Sequence, residues 1–492
     1  MKASDATPGI GIRVLVPHRE INGFVRVLDR SQNCWTACGP GTSTWRSKRN
    51  VLNPDSSKGA RSESCSGRTM KAVRLSHIGR EVMRSVSRSG NVTADSPRRN
   101  SDPERTMDFT LPPDNDPRRV AIRQWISAHP SPTGNEWAAS GYVAPQWPEP
   151  WGLGADPVHQ LIVEEELHAA GAVLPASRIG IGWAGPTIIA GGDPSQAKRY
   201  LPPMLAGEEQ WCQLFSEPDA GSDLANLATR AERDGDTYVI NGQKIWSTWA
   251  DHSQFGILIA RTDINAPKQK GISYFILPMD TPGITVVSIT EMTGEHHFNE
   301  VFFDDVRIPV GNRVGPEHGG WALTKVTLAF ERVSLSKGGV LWSMGPTADE
   351  FFDLVRAHGG IADPVLRQRA ARIFTEKEIL RLLGLRVVSA AMKGREPGPE
   401  ASIKKLLSDG FGQRITELAK DLAGTHALLD DAGPMGTPVE RWNWAFLFAR
   451  ALTIGGGTAQ VQRNIVAERV LGLPRDIDPH AGMTWQETRL TR

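Results

Sequence analysis

Residues 213 to 312 carry short strand-like runs punctuated by turns, set inside a chain otherwise patterned as long helices, and this change of period restricts the fold most. Within the block, DGDTYVINGQKIWS (234 to 247), FGILIAR (255 to 261) and GISYFILP (271 to 278) read as strands, and Asn241-Gly242 reads as a hairpin turn. Before the block, from about 116 to 210, helix signals dominate. Asp156-Pro157 is an N-cap followed by a first-turn proline, with Val158, Leu161 and Ile162 at helical spacing. After Gly319-Gly320 helical patterns resume through ALTKVTLAFERVSL and PVLRQRAARIFTEKEILRLLGLRVVSAAM, until Gly472 and Pro474 supply a stop. The expected class is α+β, with an N-terminal helical domain (107 to 212), a middle β domain (213 to 318) and a C-terminal helical domain (319 to 492). No repeat of solenoid length occurs.

The first 106 residues differ in kind. They hold 19 Lys and Arg against 9 Asp and Glu, whereas the whole chain has a formal charge of +1. They are rich in Arg, Ser, Asn and Gly and show no sustained apolar period, so they read as a largely unordered basic leader. The capped amphipathic pattern that starts at Met107 makes Met107 the expected native start, with the leader an over-extended reading frame. Near-neutral overall charge argues against a nucleic-acid-binding design, and no apolar run is long enough for a membrane span. Cys212 is the single cysteine after residue 106, which excludes a disulfide framework there; with no secretory signal pattern, the expected location is the cytoplasm. No metal site is expected.

Gly180, Gly182 and Gly185 in GIGWAG spell a dinucleotide fingerprint, but they lie in the helical part and run into Pro186 rather than joining a strand to a helix. Close helix packing is the better reading. The informative pair is QLFSEPDAGSD (213 to 223), followed about twenty residues later by NGQKIWST (241 to 248). Pro218, Gly221 and the short polar residues allow a tight loop that brings backbone amides and a hydroxyl to a ligand, while Trp246 can lie against a planar ring with Thr248 on the same strand face. Taken singly, each piece is as well explained by an acidic turn or a core tryptophan.

Together they resemble the acyl-CoA dehydrogenase family over nearly all of 107 to 492. The resemblance is carried by SEPDAGSDLANLATRA and DTYVINGQKIWSTWA, and also by GPTIIAGGDPSQAKRYLPPMLAGEEQW (185 to 211), FNEVFFDDVRIP (298 to 309) and QRNIVAERVLGLP (462 to 474). It implies a helical domain, a β domain and a C-terminal four-helix bundle holding FAD. By resemblance, Gln213, Leu214, Phe215, Ser216, Gly221 and Ser222 contact the flavin, with Ser222 also near the substrate; Trp246, Ser247 and Thr248 cover its ring, and Thr458 and Gln460 meet it from the late turn. Gly455-Gly456-Gly457, opening a helix, is independently a suitable cradle for oxygens.

The family reaction removes the proton next to a thioester carbonyl while a hydride leaves the following carbon, giving a trans-2-enoyl-CoA. It needs donors on the carbonyl oxygen, each worth about 2.7 to 4 kcal/mol, and a carboxylate base in a dry site. The most familiar place for that base is occupied here by Gly456, which keeps an amide for the thioester oxygen but has no carboxylate. Isovaleryl- and long-chain-type members carry the Glu on a helix of the last domain, just before an Arg, and Glu331-Arg332 in LAFERVSLSKGG matches that placement. Glu331 is the expected base and Arg332 the neighbouring cation at the substrate. Leu328, Ser334, Leu335 and Gly338 share its helix face, a half-apolar setting suited to a raised pKa.

The turns that reach a neighbouring subunit's flavin in typical members correspond here to LVRAHGG (354 to 360) and DLAGTHA (421 to 427). They keep Gly424 but lack the phenylalanine, glutamine and second glycine. Cross-subunit contacts are therefore unassigned, and both homo- and hetero-oligomers, dimeric or tetrameric, stay open. Electrons are expected to pass to an electron-transfer flavoprotein. The alternatives are an oxidase using oxygen and a partner subunit that completes another chain's site. The acyl group, whether fatty, branched or a steroid side chain, is not fixed by any motif.

Overall fold

The computed structural model describes residues 25–28 and 35–38 and residues 112–490, apart from 176, 338–340, 343–344, 358–359, 393–397, 400 and 426–438. Strands β1 (Val25–Leu28) and β2 (Trp35–Cys38) pair antiparallel, Val25 opposite Cys38. These eight residues are the only described ones in the leader, which is expected to be largely unordered. The rest of the leader lies outside the described residues. The β1–β2 pair and the described residues from 112 onward belong to two separate compact units.

In the larger unit five helices come first: α1 (Pro117–Ala128), α2 (Gly134–Ser140), α3 (Pro157–Ala169), α4 (Gly185–Gly191) and α5 (Pro194–Leu205). The Asp156 cap is present, its carboxylate accepting from the amides of Val158 at 2.8 Å and His159 at 2.9 Å. The GIGWAG glycines lie in a π-helical turn (Gly180–Ala184) leading into α4, and a Cβ at Gly185 would sit 2.2 Å from the Trp147 ring. Gly180 and Gly185 serve close packing, as read from the sequence, whereas a Cβ at Gly182 would make only ordinary contact with Ser334.

Strands β3 (Trp211–Leu214), β4 (Arg230–Asp234), β5 (Thr237–Thr248), β6 (Phe255–Arg261), β7 (Ile272–Pro278), β8 (Ile284–Ile289), β9 (Phe298–Pro309) and β10 (Arg313–Val314) form one sheet. Its order is β10-β7-β6-β4-β5-β9-β8, with β3 parallel to β6. Asn241-Gly242 is not a hairpin turn but lies inside β5, where the register with β9 shifts between Ile240 and Gly242. A Cβ at Gly242 would lie 2.7 Å from Thr229 Cα, so glycine is needed there for a close crossing. The hairpin instead turns through Gly235 (φ +59°), with Asp234 paired to Thr237.

The first helices and one sheet face share a core containing Trp147, Ile188, Leu201, Phe215, Ile257, Tyr274 and Leu323. The other sheet face packs Tyr238, Ile240, Leu258, Phe275, Val301 and Phe303. Helices α6 (Gly320–Lys337), α7 (Ala348–Ala357), α8 (Pro364–Met392), α9 (Ala401–Ala423) and α10 (Val439–Phe448) follow, with their own core around Phe351, Ile373, Phe411, Ile415 and Trp442. Then come α11 (Ala459–Ile465), the stop at Gly472 (φ +70°), and a short α12 (Trp485–Leu490) that the sequence reading did not anticipate.

Candidate functional site

The site grows from the end of β3. Phe215 O accepts from Lys244 Nζ at 3.0 Å, and Ser216 O accepts from the Ile245 amide at 2.9 Å, so the loop after β3 is stitched to β5. Buried Glu217 takes Lys244 Nζ at 2.8 Å and the amides of Ala228 and Thr229 at 2.6 and 2.9 Å. Burial opposes its ionisation, but Lys244 and these donors hold the carboxyl below its ordinary value. With the base of the loop fastened, Pro218, Asp219, Gly221 and Ser222 are left exposed at its tip. The side chains of Leu214 and Phe215 belong to the core, so backbone is what these two can offer a ligand.

Trp246 departs from an ordinary strand tryptophan. Alternation would bury it on the side of Lys244, but two residues of β5, Ile245 and Trp246, face one of β9 between the Lys244–Val301 and Ser247–Asn299 pairs. This bulge sends Ser247 inward and turns the indole out. Trp246 has φ +62°, is 57% exposed, and meets Phe298 only edge-on at 6.0 Å. Thr248 is half-buried beyond it. A left-handed backbone at a bulky residue, with its ring out of the core, marks a position shaped for contact rather than packing.

Glu331 comes from α6, which is laid directly on β7: a Cβ at Gly320 would sit 2.5 Å from the Ser273 carbonyl carbon. One turn before Glu331, buried Thr327 Oγ1 lies 2.8 Å from Thr187 Oγ1 and 3.1 Å from Tyr274 OH, fixing the helix rotation. Glu331 is 6% exposed, and its Oε2 accepts from Gln213 Nε2 at 3.2 Å. Burial raises its carboxyl above the ordinary value, against the Gln213 hydrogen bond and the charges of Arg332 and Lys405. Arg332 is half-buried beside it, burial lowering its guanidinium against the pull of Glu331. Leu328 packs on the helix–sheet core and Ser334 is half-buried; Gly338 and the Leu335 side chain lie outside the described residues, as do His358, Gly359, His426 and Ala427 of the two cross-subunit turns.

Gly455, Gly456 and Gly457 make the turn that leads into α11. Gly456 and Gly457 have φ of +63° and +88°, and Gln462 Nε2 donates to Gly456 O at 3.0 Å. Thr458 caps α11, its hydroxyl accepting from the Val461 amide at 3.2 Å, whereas Gln460 is exposed. Helix α9 connects this turn to the acid: Lys405 Nζ donates to Leu452 O at 3.2 Å and to Asp409 at 2.7 Å, and its charge acts on Glu331. Sequence reading missed Glu217, Lys244, Lys405, Asp409 and Gln462 as parts of this framework. The i,i+4 spacing of Lys405 and Asp409 was visible, but a pair so spaced is ordinarily a solvated helix pair.

Gln213 Oε1, Ser247 Oγ and Gln462 Oε1 are buried with no hydrogen-bond partner among the described residues. A Cβ at Gly221 would touch nothing, so the protein's own packing does not demand that glycine. Orphaned polar atoms, an exposed indole and an open loop tip fit a polar-edged planar ring such as the flavin expected from the resemblance.

Comparisons with known proteins agree with this architecture. Residues 118–208, 212–306 and 318–471 match the families described as acyl-CoA dehydrogenase N-terminal, middle and C-terminal domains. The Mycobacterium tuberculosis acyl-CoA dehydrogenase FadE34 is 40% identical over 69% of this chain, which spans only 45% of that protein's length. Acyl-CoA dehydrogenase IpdE1 of the same organism is 39% identical over 69% of this chain and 86% of its own. The structure of the ChsE4-ChsE5 complex from Mycobacterium tuberculosis superposes with a TM-score of 0.62 at 31% identity, covering 75% of this chain and all of that one. The Tcur3481-Tcur3483 steroid ACAD gives 0.63 at 28% identity, covering 75% of this chain and all of that one.

Proposed function

The chain belongs to the acyl-CoA dehydrogenase family, and on that premise we propose that it oxidises an acyl-CoA thioester to the trans-2-enoyl-CoA, with Glu331 as the base. The observation that carries this reading is a carboxylate 6% exposed, delivered by a helix pinned to the sheet and held by Gln213 at the root of the Ser222 loop. Members of the family bind FAD, and we assign its contacts here to Gln213–Ser216, Gly221, Ser222, Trp246–Thr248, Thr458 and Gln460. The chemistry supplied by bound FAD is acceptance of the hydride leaving the β-carbon.

The chain's own residues do the rest. Glu331 takes the α-proton onto its carboxylate, and its exclusion from water keeps that carboxylate a stronger base than an exposed one. The Gly456 amide donates to the thioester oxygen, in a turn whose shape Gln462 maintains from inside. Arg332 keeps a positive charge next to the acid and the acyl-CoA. Ser222 and Gly221 present a hydroxyl and an amide at an exposed loop tip whose base cannot drift, because Glu217 and Lys244 close it.

An electron-transfer flavoprotein is the acceptor in this reading, and the cytoplasm its location. A second reading, that the chain works as one partner of a two-chain enzyme, is favoured by the similarity to the ChsE4-ChsE5 complex and to the Tcur3481-Tcur3483 steroid ACAD. A visible spectrum of the purified protein, followed by turnover of an acyl-CoA panel with an artificial acceptor, tests both. Bound FAD with turnover supports the first; FAD binding or turnover that requires a second related chain supports the second; rapid reoxidation by air with peroxide would replace both with an oxidase.

A further inference from the structure

Beyond the stop at Gly472 the chain returns to the sheet. Helix α12 is started by a capping box in which Thr484 and Glu487 exchange hydrogen bonds, Thr484 N to Glu487 Oε2 at 2.8 Å and Glu487 N to Thr484 Oγ1 at 3.2 Å. Trp485 N and Gln486 N donate to the carbonyls of Ala266 and Ile264 at 2.8 and 3.1 Å, anchoring the helix on the loop between β6 and β7. The Trp485 ring lies over the Arg261 guanidinium, 5.0 Å from ring centre to Cζ.

Arg261, fully buried, donates through Nη2 to Ala225 O at 2.7 Å and Leu227 O at 3.2 Å. Trp485 Nε1 donates to the carbonyl between them, Asn226 O, at 3.3 Å. Three consecutive carbonyls on the return limb of the Ser222 loop are thus held by one guanidinium and the indole stacked on it. Asp223, next to Ser222, is tied to the same anchor: Lys268 Nζ meets its Oδ1 at 3.0 Å, and Lys268 O accepts from Arg261 Nη1 at 2.7 Å.

We propose that Trp485 is a positioning residue for the flavin- and thioester-binding loop, acting through Arg261 and the carbonyls of Ala225 to Leu227 to hold Gly221 and Ser222 in their binding position. This rests on the functional reading above, in which that loop contacts FAD and substrate. Glu217 fastens the loop from inside through its amides; Trp485 and Arg261 fasten it from outside through its carbonyls. Without the indole, the Asn226 carbonyl loses a donor and the guanidinium loses its cover.

The test compares wild type, Trp485→Ala, Trp485→Phe, which keeps a ring over Arg261 but no N–H, and Leu490→Ala at an exposed position of the same helix. Hydrogen–deuterium exchange across 218–228, FAD dissociation constants, and kcat and KM for an acyl-CoA are measured well below each unfolding midpoint. Trp485→Ala should exchange faster in that segment and weaken FAD binding, or raise KM, by about tenfold. At saturating FAD and substrate its kcat should stay within about threefold of wild type; Trp485→Phe should recover part of the loss, and Leu490→Ala should match wild type. Unchanged exchange overturns the proposal, and so does faster exchange with FAD affinity and KM unmoved, which would make the contact a structural brace only. Failure of the functional reading shows separately, as a wild-type protein that, alone or with a second related chain, binds no FAD and oxidises no acyl-CoA, and the positioning role then falls with it.

Discussion

Replacing Glu331 with Gln preserves shape and removes the proton acceptor. The site leaves no easy substitute: the carboxylate is 6% exposed, and the groups around it, Gln213, Arg332 and Lys405, are an amide and two cations. Loss of a positioned base typically costs about 10² to 10⁴ in rate. With bulk water kept away from a weakly acidic carbon, the upper part of that range applies, so kcat should fall at least about 10³-fold, roughly 4 kcal/mol in the barrier. Stability should move the other way or barely at all. A neutral amide escapes the burial penalty that raises the Glu331 carboxyl, and the single hydrogen bond from Gln213 it disturbs contributes about 1 kcal/mol. The assay is dye-coupled acyl-CoA oxidation, with anaerobic bleaching of the flavin band as a single-turnover check and urea unfolding in parallel. A variant with intact flavin absorbance and a rate within tenfold of wild type would refute the assignment of the base.

The raised Glu331 carboxyl also sets a pH dependence. Activity should climb as pH rises through the raised value, whereas this group's contribution to stability is complete below the ordinary 4.5 and is lost as pH climbs through the folded value; Glu331→Gln should flatten that part of a stability-against-pH curve. Burial lifts Asp409 to about 6 despite Lys405, and both side chains are 2% exposed or less, so Asp409→Ala strands a buried cation and should lower unfolding free energy by about 3 to 5 kcal/mol in urea titrations. Trp246→Ala removes a largely exposed ring, so unfolding should shift by no more than about 0.5 kcal/mol, while FAD affinity and the shape of the flavin absorption band change clearly; an unaltered flavin spectrum would separate Trp246 from the cofactor.

Local periodicity made the order of elements readable, and FGILIAR proved to be β6 from end to end. Glycines misled where their reason was non-local. Asn241-Gly242 has turn chemistry, yet Gly242 is required because Thr229 crosses beside it, while Gly235 makes the actual hairpin. Family resemblance named Gln213 and Glu331 separately; their 3.2 Å hydrogen bond joins residues 118 apart, which no window along the chain reveals. The outward turn of Trp246 depends on a two-against-one mismatch with β9, invisible from β5 alone. Helix α12 is a different case, since Thr484 and Glu487 spell its capping box and the reading passed over them.

The buried Glu217–Lys244 pair bears on how this protein comes apart. Its two halves sit 27 residues apart, Glu217 in the loop after β3 and Lys244 on β5, and neither charge is tolerable in the interior without the other. The base of the ligand loop therefore cannot open while β5 stays in place, nor can β5 peel away and leave that base ordered. Heating should abolish ligand recognition and sheet structure in one cooperative step, so that a partly melted molecule that still grips its substrate never accumulates.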